Sequence, residues 1–216
     1  MSGLTTNMLL EAYRCGIFPM AEERDADELF WVEPKARGIL PLDKFHVSKA
    51  LRKTIKSGRF RVSVDTAFAK VIQLCASAQA GRKETWINDE IIELYTRLHE
   101  DGHVHSIEVW EMGALVGGLY GVSVGGAFCG ESMFHLKTGA SKVALAYTTA
   151  RLKTGGYTLF DIQFVTDHLT TFGAISIPQK QYLVLLQKAL KVRPNFYRLP
   201  GDASADEVMQ VIAQTS

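Results

Sequence analysis

Residues 105–135 constrain this chain most. "HSIEVWEMG", "ALVGGLYGVSVGG" and "AFCGESMFH" are rich in β-branched and aromatic residues and are separated by Met112-Gly113 and Gly125-Gly126. Glycine-containing connections of this kind join neighbouring antiparallel strands, because they supply the positive φ that a tight hairpin needs. The stretch predicts a three-stranded antiparallel meander on which the rest of the chain must pack. The glycines of "LVGGLYGVSVGGAF" lie in and between strands, not before a helix N-terminus, so turns and close sheet packing explain them better than a phosphate loop does.

Before the meander, a short helix from Asn7 to Cys15 ends at Gly16. "IFPM", "FWVEPKARGIL" and "PL" then bring prolines and loop residues, giving a small irregular N-terminal unit, residues 1–57, that ends in a basic helix. A strand (Phe60 to Val64) follows, and then a helix from about Thr66 to Gln79 with Phe68, Val71, Ile72 and Cys75 on one side. "GRKETW" is a loop. "INDEIIELYTRLHEDG" is an amphipathic helix with Asn88 or Asp89 near its cap and Gly102 after its end. After the meander come a long helix "GASKVALAYTTARLKTGG", a strand "YTLFDIQFV", a short helix near "DHLTTFGA" and a basic helix "PQKQYLVLLQKALK". The order meander, helix, strand, helix resembles the core of the GNAT-type acyltransferase fold. That implies an α+β domain over 58–200, with a mixed, largely antiparallel sheet flanked by helices, and a C-terminal tail over 201–216.

The 216 residues are 47% apolar and 22% charged, as in a folded globular protein. There is no run of eighteen apolar residues, so no membrane span is expected. The first residues lack a basic segment followed by an apolar one, which argues against export. Cys15, Cys75 and Cys129 are scattered, with no CxxC, and fit reduced thiols in a cytoplasmic protein. The net charge is only +1, but Lys44 to Arg61 holds seven Lys or Arg and no acid. Lys49, Arg52, Lys53 and Lys56 recur there at helical spacing. Such a stripe is either a solvated helix face or a positive field suited to a phosphate backbone.

Two strands carry polar residues where a buried strand should not. In "AFCGESMFH", strict alternation puts Glu131 on a face with Ala127, Cys129, Met133 and His135, opposite Phe128, Gly130, Ser132 and Phe134. Either Glu131 faces water on an edge strand, or it lines an apolar pocket, since an unpaired buried acid is costly. In "LFDIQFV", Asp161 and Gln163 share a face, with Phe160, Ile162 and Phe164 opposite. A polar sheet edge accounts for them equally well. If the two strands are neighbours, the three polar groups converge on one cleft.

His99, His103 and His105 are interrupted by a helix end and a strand start, and no further ligand completes a metal set; they fit structural histidines. "GESMF" is not the G-x-S-x-G nucleophile elbow, and no P-loop or dinucleotide fingerprint is present. At the helix start "LKTGASKVAL" only Gly139-Ala140 resembles the GNAT pyrophosphate turn, and the basic residue at its first position is absent. This argues against a CoA site.

"GIFPM", "TWI", "LYTRLHEDGHVHSIEVWE", "LVGGLYGV", "FCGESMFH", "ASKVAL" and "DIQFVTDHLTTFGA" occur in order. With these strings the chain resembles the bacterial leucyl/phenylalanyl-tRNA–protein transferases from about Leu9 to Pro200. The resemblance implies transfer of Leu or Phe, with Met as a further candidate, from Leu-tRNA or Phe-tRNA to the α-amine of proteins beginning with Arg or Lys, in the N-end rule pathway. It implies no metal and no cofactor, because an aminoacyl ester is already activated. Asp161 and Gln163 match the pair that orients the attacking amine, and Glu131 falls where the family holds the aminoacyl-adenosine. Met133, Leu145, Leu152 and Phe160 match the side-chain pocket. Trp86 matches the tryptophan stacked on the terminal adenine, and Lys49, Arg52, Lys53 and Lys56 match the basic cluster on the tRNA.

The chain departs from the family in lacking "G-L-L-A-x-G-G-D-L", and at Met20, Glu33, His135 and Thr148, the last where a large apolar pocket residue is expected. Two other classes fit the residues: a CoA-dependent or peptidoglycan-type acyltransferase, and a catalytically silent tRNA-binding or chaperone-like protein.

Overall fold

The computed structural model describes residues 4–26, 28–77 and 85–214. The end of the helix expected to run to Gln79, the first four residues of the loop expected at 81–86 and the last two residues of the expected tail lie outside them. Helices α1 (Thr6–Arg14), α2 (Lys49–Lys56), α3 (Phe68–Ala76) and α4 (Asp89–Glu100) form in the segments read as helical. Ser48 caps α2 and Asn88 caps α4 through their side chains.

The irregular N-terminal stretch contains three short strands: β1 (Phe18–Ala21), β2 (Leu29–Val32) and β3 (Ala36–Ile39). β1 and β2 pair as a separate antiparallel ribbon. The meander is β5 (Val104–Glu111), β6 (Ala114–Val124) and β7 (Ala127–His135). Met112 and Gly113 both have positive φ, 50° and 80°, the signature of the hairpin turn that matches strand twist. Gly117 lets α5 (Ala140–Gly155) lie against β6, since a Cβ there would stand 2.5 Å from that of Ala140.

With β4 (Arg61–Val64), β8 (Leu159–Gln163) and β9 (Ile175–Pro178), these strands form one seven-stranded sheet in the order β4-β5-β6-β7-β8-β3-β9. Every pairing is antiparallel except β7 with β8. Helices cover both faces. One core packs α1, α3, α4 and α7 (Gln179–Ala189); the other packs α2, α5 and the short α6 (Asp167–Thr170). Residues 201–216, expected as a tail, contain α8 (Ala205–Ala213), which packs on α5 and opens with a Ser204–Glu207 capping box. Among the described residues no helix is long and apolar enough to cross a membrane.

Candidate active site

β7 and β8 are both central, which overturns the edge-strand readings of Glu131 and of Asp161 with Gln163. Their parallel pairing runs only from Ala127↔Leu159 to Cys129↔Asp161. Beyond that point each strand departs from regular geometry. Tyr120 of β6 pairs with Ser132 and Gly121 with Gly130, so Glu131 is an extra residue, a β-bulge in β7. The bulge breaks the expected alternation: Phe134 joins Cys129 in one core, and Met133 packs against the other. In β8, Gln163 has φ 54°, and the Phe164 N–H donates to Ile162 O at 2.6 Å, closing a three-residue turn. Phe164 meets the Phe18 ring edge-on at 6.0 Å.

A cavity of about 290 Å³ lies between the two departures. Glu131, Met133, Leu145, Phe160 and Gln163 line it, joined by Trp86 and by Phe18 and Met20 of β1. Of the residues expected in the cleft, two are not in that lining. Leu152 is fully buried in the core beneath α5, and Asp161 is fully buried behind Gln163. Thr148 is buried too, its hydroxyl donating to Ala144 O at 2.9 Å. Of the remaining departures, Met20 lines the cavity, Glu33 accepts from the Gln179 amide at 2.7 Å and His135 is exposed. Lys49, Arg52, Lys53 and Lys56 are exposed along α2, where Lys56 pairs with Asp206 at 2.6 Å. Of the three histidines, His99 stacks on Phe68 and His105 bonds Asp65 at 2.8 Å.

The Gln163 side-chain amide donates to Glu131 Oε1 at 3.2 Å. On its other side Glu131 meets the Tyr13 hydroxyl of α1, which is itself hydrogen-bonded to Tyr95 of α4. Burial raises the Glu131 carboxyl to about 8; the charge of Asp161 adds to the rise, while the Tyr13 hydrogen bond and Arg37 oppose it. Burial likewise pushes the Tyr13 and Tyr95 hydroxyls well above their ordinary value. Both tyrosines thus remain neutral donors beside a carboxyl that takes up its proton near neutral pH.

A stability effect follows. The folded chain holds the Glu131 proton up to pH about 8, whereas the unfolded chain releases it near 4.5. The unfolded state then binds fewer protons between those values, so this group makes stability fall as pH rises through the window. Glu131→Gln is expected to flatten that part of the urea-midpoint profile. An unchanged slope would show that Glu131 carries no such shift.

Asp161 holds the site from behind. Arg37 of β3 donates Nε to Oδ1 at 2.9 Å and Nη2 to Oδ2 at 2.7 Å. Tyr182 of α7 donates its hydroxyl to Oδ2 at 2.8 Å, and the Gln163 backbone N–H donates to Oδ1 at 2.9 Å. The Cys129 thiol lies 3.6 Å from Oδ2, and burial raises it well above its ordinary value. Burial alone would lower the Arg37 guanidinium; its bonds to Asp161 outweigh that and raise it. Tyr13, Tyr95, Arg37, Tyr182 and Phe18 were not among the residues expected at the site. Phe18 lies in the quoted string "GIFPM" and Tyr95 in "LYTRLHEDGHVHSIEVWE"; Tyr13, Arg37 and Tyr182 carry no local signal beyond residue type.

Known proteins can be set against this geometry. The model of the leucyl/phenylalanyl-tRNA protein transferase family matches residues 39–187, and the model of that family's N-terminal domain matches residues 3–35. The leucyl/phenylalanyl-tRNA–protein transferase of Nitrobacter winogradskyi is 54% identical over 217 residues, covering 100% of this chain and 96% of its own. That of Maricaulis maris is 48% identical, with 100% of both chains covered. A crystal structure of FemX aligns with a TM-score of 0.51 at 11% identity over 84% of this chain and 71% of that one, a likeness of fold alone. The chain belongs to the leucyl/phenylalanyl-tRNA protein transferase family and is an aminoacyltransferase.

Proposed function

We propose that this aminoacyltransferase moves Leu or Phe, with Met as a further substrate, from aminoacyl-tRNA to the α-amine of proteins that begin with Arg or Lys, marking them for the N-end rule pathway in the cytoplasm. One observation carries this: an apolar cavity with a hydrogen-bonded acid–amide pair in its wall and a tryptophan beside it. The aminoacyl side chain lies against Met133, Leu145 and Phe160, and the terminal adenine stacks on Trp86. With its nitrogen engaged by Glu131, the Gln163 amide leaves its oxygen to accept from the attacking amine. The amine nitrogen attacks the ester carbon, an amide bond forms, and the bond to the ribose oxygen breaks. Glu131 is raised towards the range of an α-amine, so its ionised fraction grows towards pH 8; that form takes the amine's proton and returns it to the departing oxygen.

The cleft between β7 and β8 and the fold likeness to FemX support a GNAT-like reading of residues 58–200. The division at residue 57 is part of the same proposal, with β3 hydrogen-bonded into the larger unit's sheet. The test is discharge of labelled Leu-tRNA onto a peptide with N-terminal Arg and no CoA added. A requirement for CoA would favour the acyltransferase alternative, and binding without transfer the silent tRNA binder.

The exposed stripe on α2 gives a second expectation. Lys49→Ala, Arg52→Ala and Lys53→Ala together should weaken use of full-length Leu-tRNA and lower the salt dependence of its binding by about three units on a log–log plot, one for each phosphate no longer neutralised. A minimal aminoacyl-adenosine analogue, which lacks those phosphates, should be used as before. Equal losses with both substrates would remove the tRNA role of this helix.

Met133 bears on selectivity. Met133→Ala widens the cavity and should shift the Leu-to-Phe ratio of kcat/KM towards Phe by about tenfold at most, the scale of one or two methylenes. An unchanged ratio in a competition assay would place selection elsewhere.

A further inference from the structure

Asp161 is built so that it cannot meet substrate. It is fully buried and absent from the cavity lining. A carboxylate has about four lone-pair sites. Here Oδ1 receives Arg37 Nε and the Gln163 N–H, while Oδ2 receives Arg37 Nη2 and the Tyr182 hydroxyl. No site is left to accept a proton from an amine. Its effect must pass through its partners, and the one partner that reaches the cavity is Gln163.

Gln163 needs holding. It is one of three described non-glycine residues with left-handed φ, and the only one of them that ends a central strand. Such a backbone persists only where its surroundings over-determine it. The bond from its N–H to Asp161 is one constraint; the Phe164-to-Ile162 bond and the pairing with Gly38 of β3 are others. Arg37 anchors the first. Its guanidinium supplies two of Asp161's bonds, donates Nη1 to Gly16 O at 2.9 Å, and lies between the rings of Phe18 and Tyr182, 4.7 and 4.5 Å from their centroids. Phe18 lines the cavity, so one buried cation ties the β1 wall to the strand end that presents the amide.

We propose that Arg37, seconded by Tyr182, is a positioning residue for aminoacyl transfer: through Asp161 it fixes Gln163 in its left-handed turn and so aims the amide at the attacking amine. Neither Arg37 nor Tyr182 touches substrate. The proposal rests on the role given to Gln163 above. A purely structural ion pair would predict a different pattern of losses, because its removal would loosen the whole cleft whatever stands at position 163.

The experiment is a double-mutant cycle read by single-turnover transfer of Leu from Leu-tRNA to an N-terminal Arg peptide. Arg37→Lys and Tyr182→Phe are each made alone and with Gln163→Ala, at a temperature where melting curves show every variant folded. Arg37→Lys should slow transfer on the order of tenfold to a hundredfold, as a misplaced group does, and Tyr182→Phe several-fold. The dissociation constant for Leu-tRNA should stay close to that of the unaltered protein. With Gln163 already replaced, neither change should slow transfer further. Losses that multiply with Gln163→Ala, or that appear as weaker tRNA binding at normal turnover, would overturn the proposal. If Arg37→Lys does not fold, the Tyr182→Phe cycle decides by the same criterion. An unaltered protein that fails to transfer would remove the proposed function, and this inference with it. An active one with multiplicative losses removes the inference alone.

Discussion

Asp161→Ala is expected to destabilise the protein by about 3–5 kcal/mol, the usual consequence of removing one partner of a buried ion pair. The change strands the Arg37 guanidinium, only 1% exposed, and deprives the Tyr182 hydroxyl and the Gln163 N–H of their acceptor. In a chain of this length each kcal/mol lowers the melting temperature by about 2–4 °C, so a fall of roughly 6–20 °C should be seen. Arg37→Met added to Asp161→Ala should recover much of the loss, because it removes the uncompensated charge and leaves an apolar side chain between Phe18 and Tyr182. Urea midpoints of the two single variants and the double variant measure this. A loss below about 1 kcal/mol for Asp161→Ala, the scale of an exposed pair, would mean that the ion pair does not hold this end of the sheet.

What the sequence reveals follows the range of the interactions involved. The meander is legible because its turns are set by adjacent residues, Met112-Gly113 and Gly125-Gly126, and its strands are long. The basic face of α2 is legible because 3.6-residue periodicity is local. β1 and β9 are not. Each has four residues, each carries a proline (Pro19 and Pro178), and their partners lie far away or in other short strands. Proline normally demotes a strand, yet both sit where the ladder does not require the missing N–H: β9 at the sheet edge and β1 in a two-stranded ribbon. α8 could have been found, since Ser204 and Glu207 stand at capping-box spacing before an apolar run.

At the site, residue type was legible but geometry was not. Alternation assumes a regular strand, and the two residues that matter most occupy the two irregularities, the bulge at Glu131 and the left-handed turn at Gln163. Strict alternation puts Asp161 on the face of Gln163, whereas the left-handed turn leaves the carboxylate behind the amide. Its partner Arg37 stands 124 residues away in a stretch that reads as loop.

Gln163→Ala is expected to slow single-turnover transfer by about 10²–10³-fold, the effect of losing one preorganised polar group at a reacting centre. Affinity for Leu-tRNA should change little, because the amide acts on the attacking amine and the transition state rather than on the bound ester. Alanine also leaves the strained backbone in place, with φ at 54°, so a second variant is needed to separate side chain from backbone. Gln163→Gly removes the same amide and relaxes the turn, since glycine adopts that conformation without steric penalty. Equal losses in the two variants assign the effect to the side chain. Partial recovery in Gln163→Gly relative to alanine would assign part of the loss to the strain of holding a side chain in that turn, whose Phe164-to-Ile162 bond keeps Phe164 against Phe18 at the cavity wall. Normal turnover in both variants with a higher dissociation constant for Leu-tRNA would make Gln163 a substrate-holding residue, and would leave Glu131 to handle the amine without it.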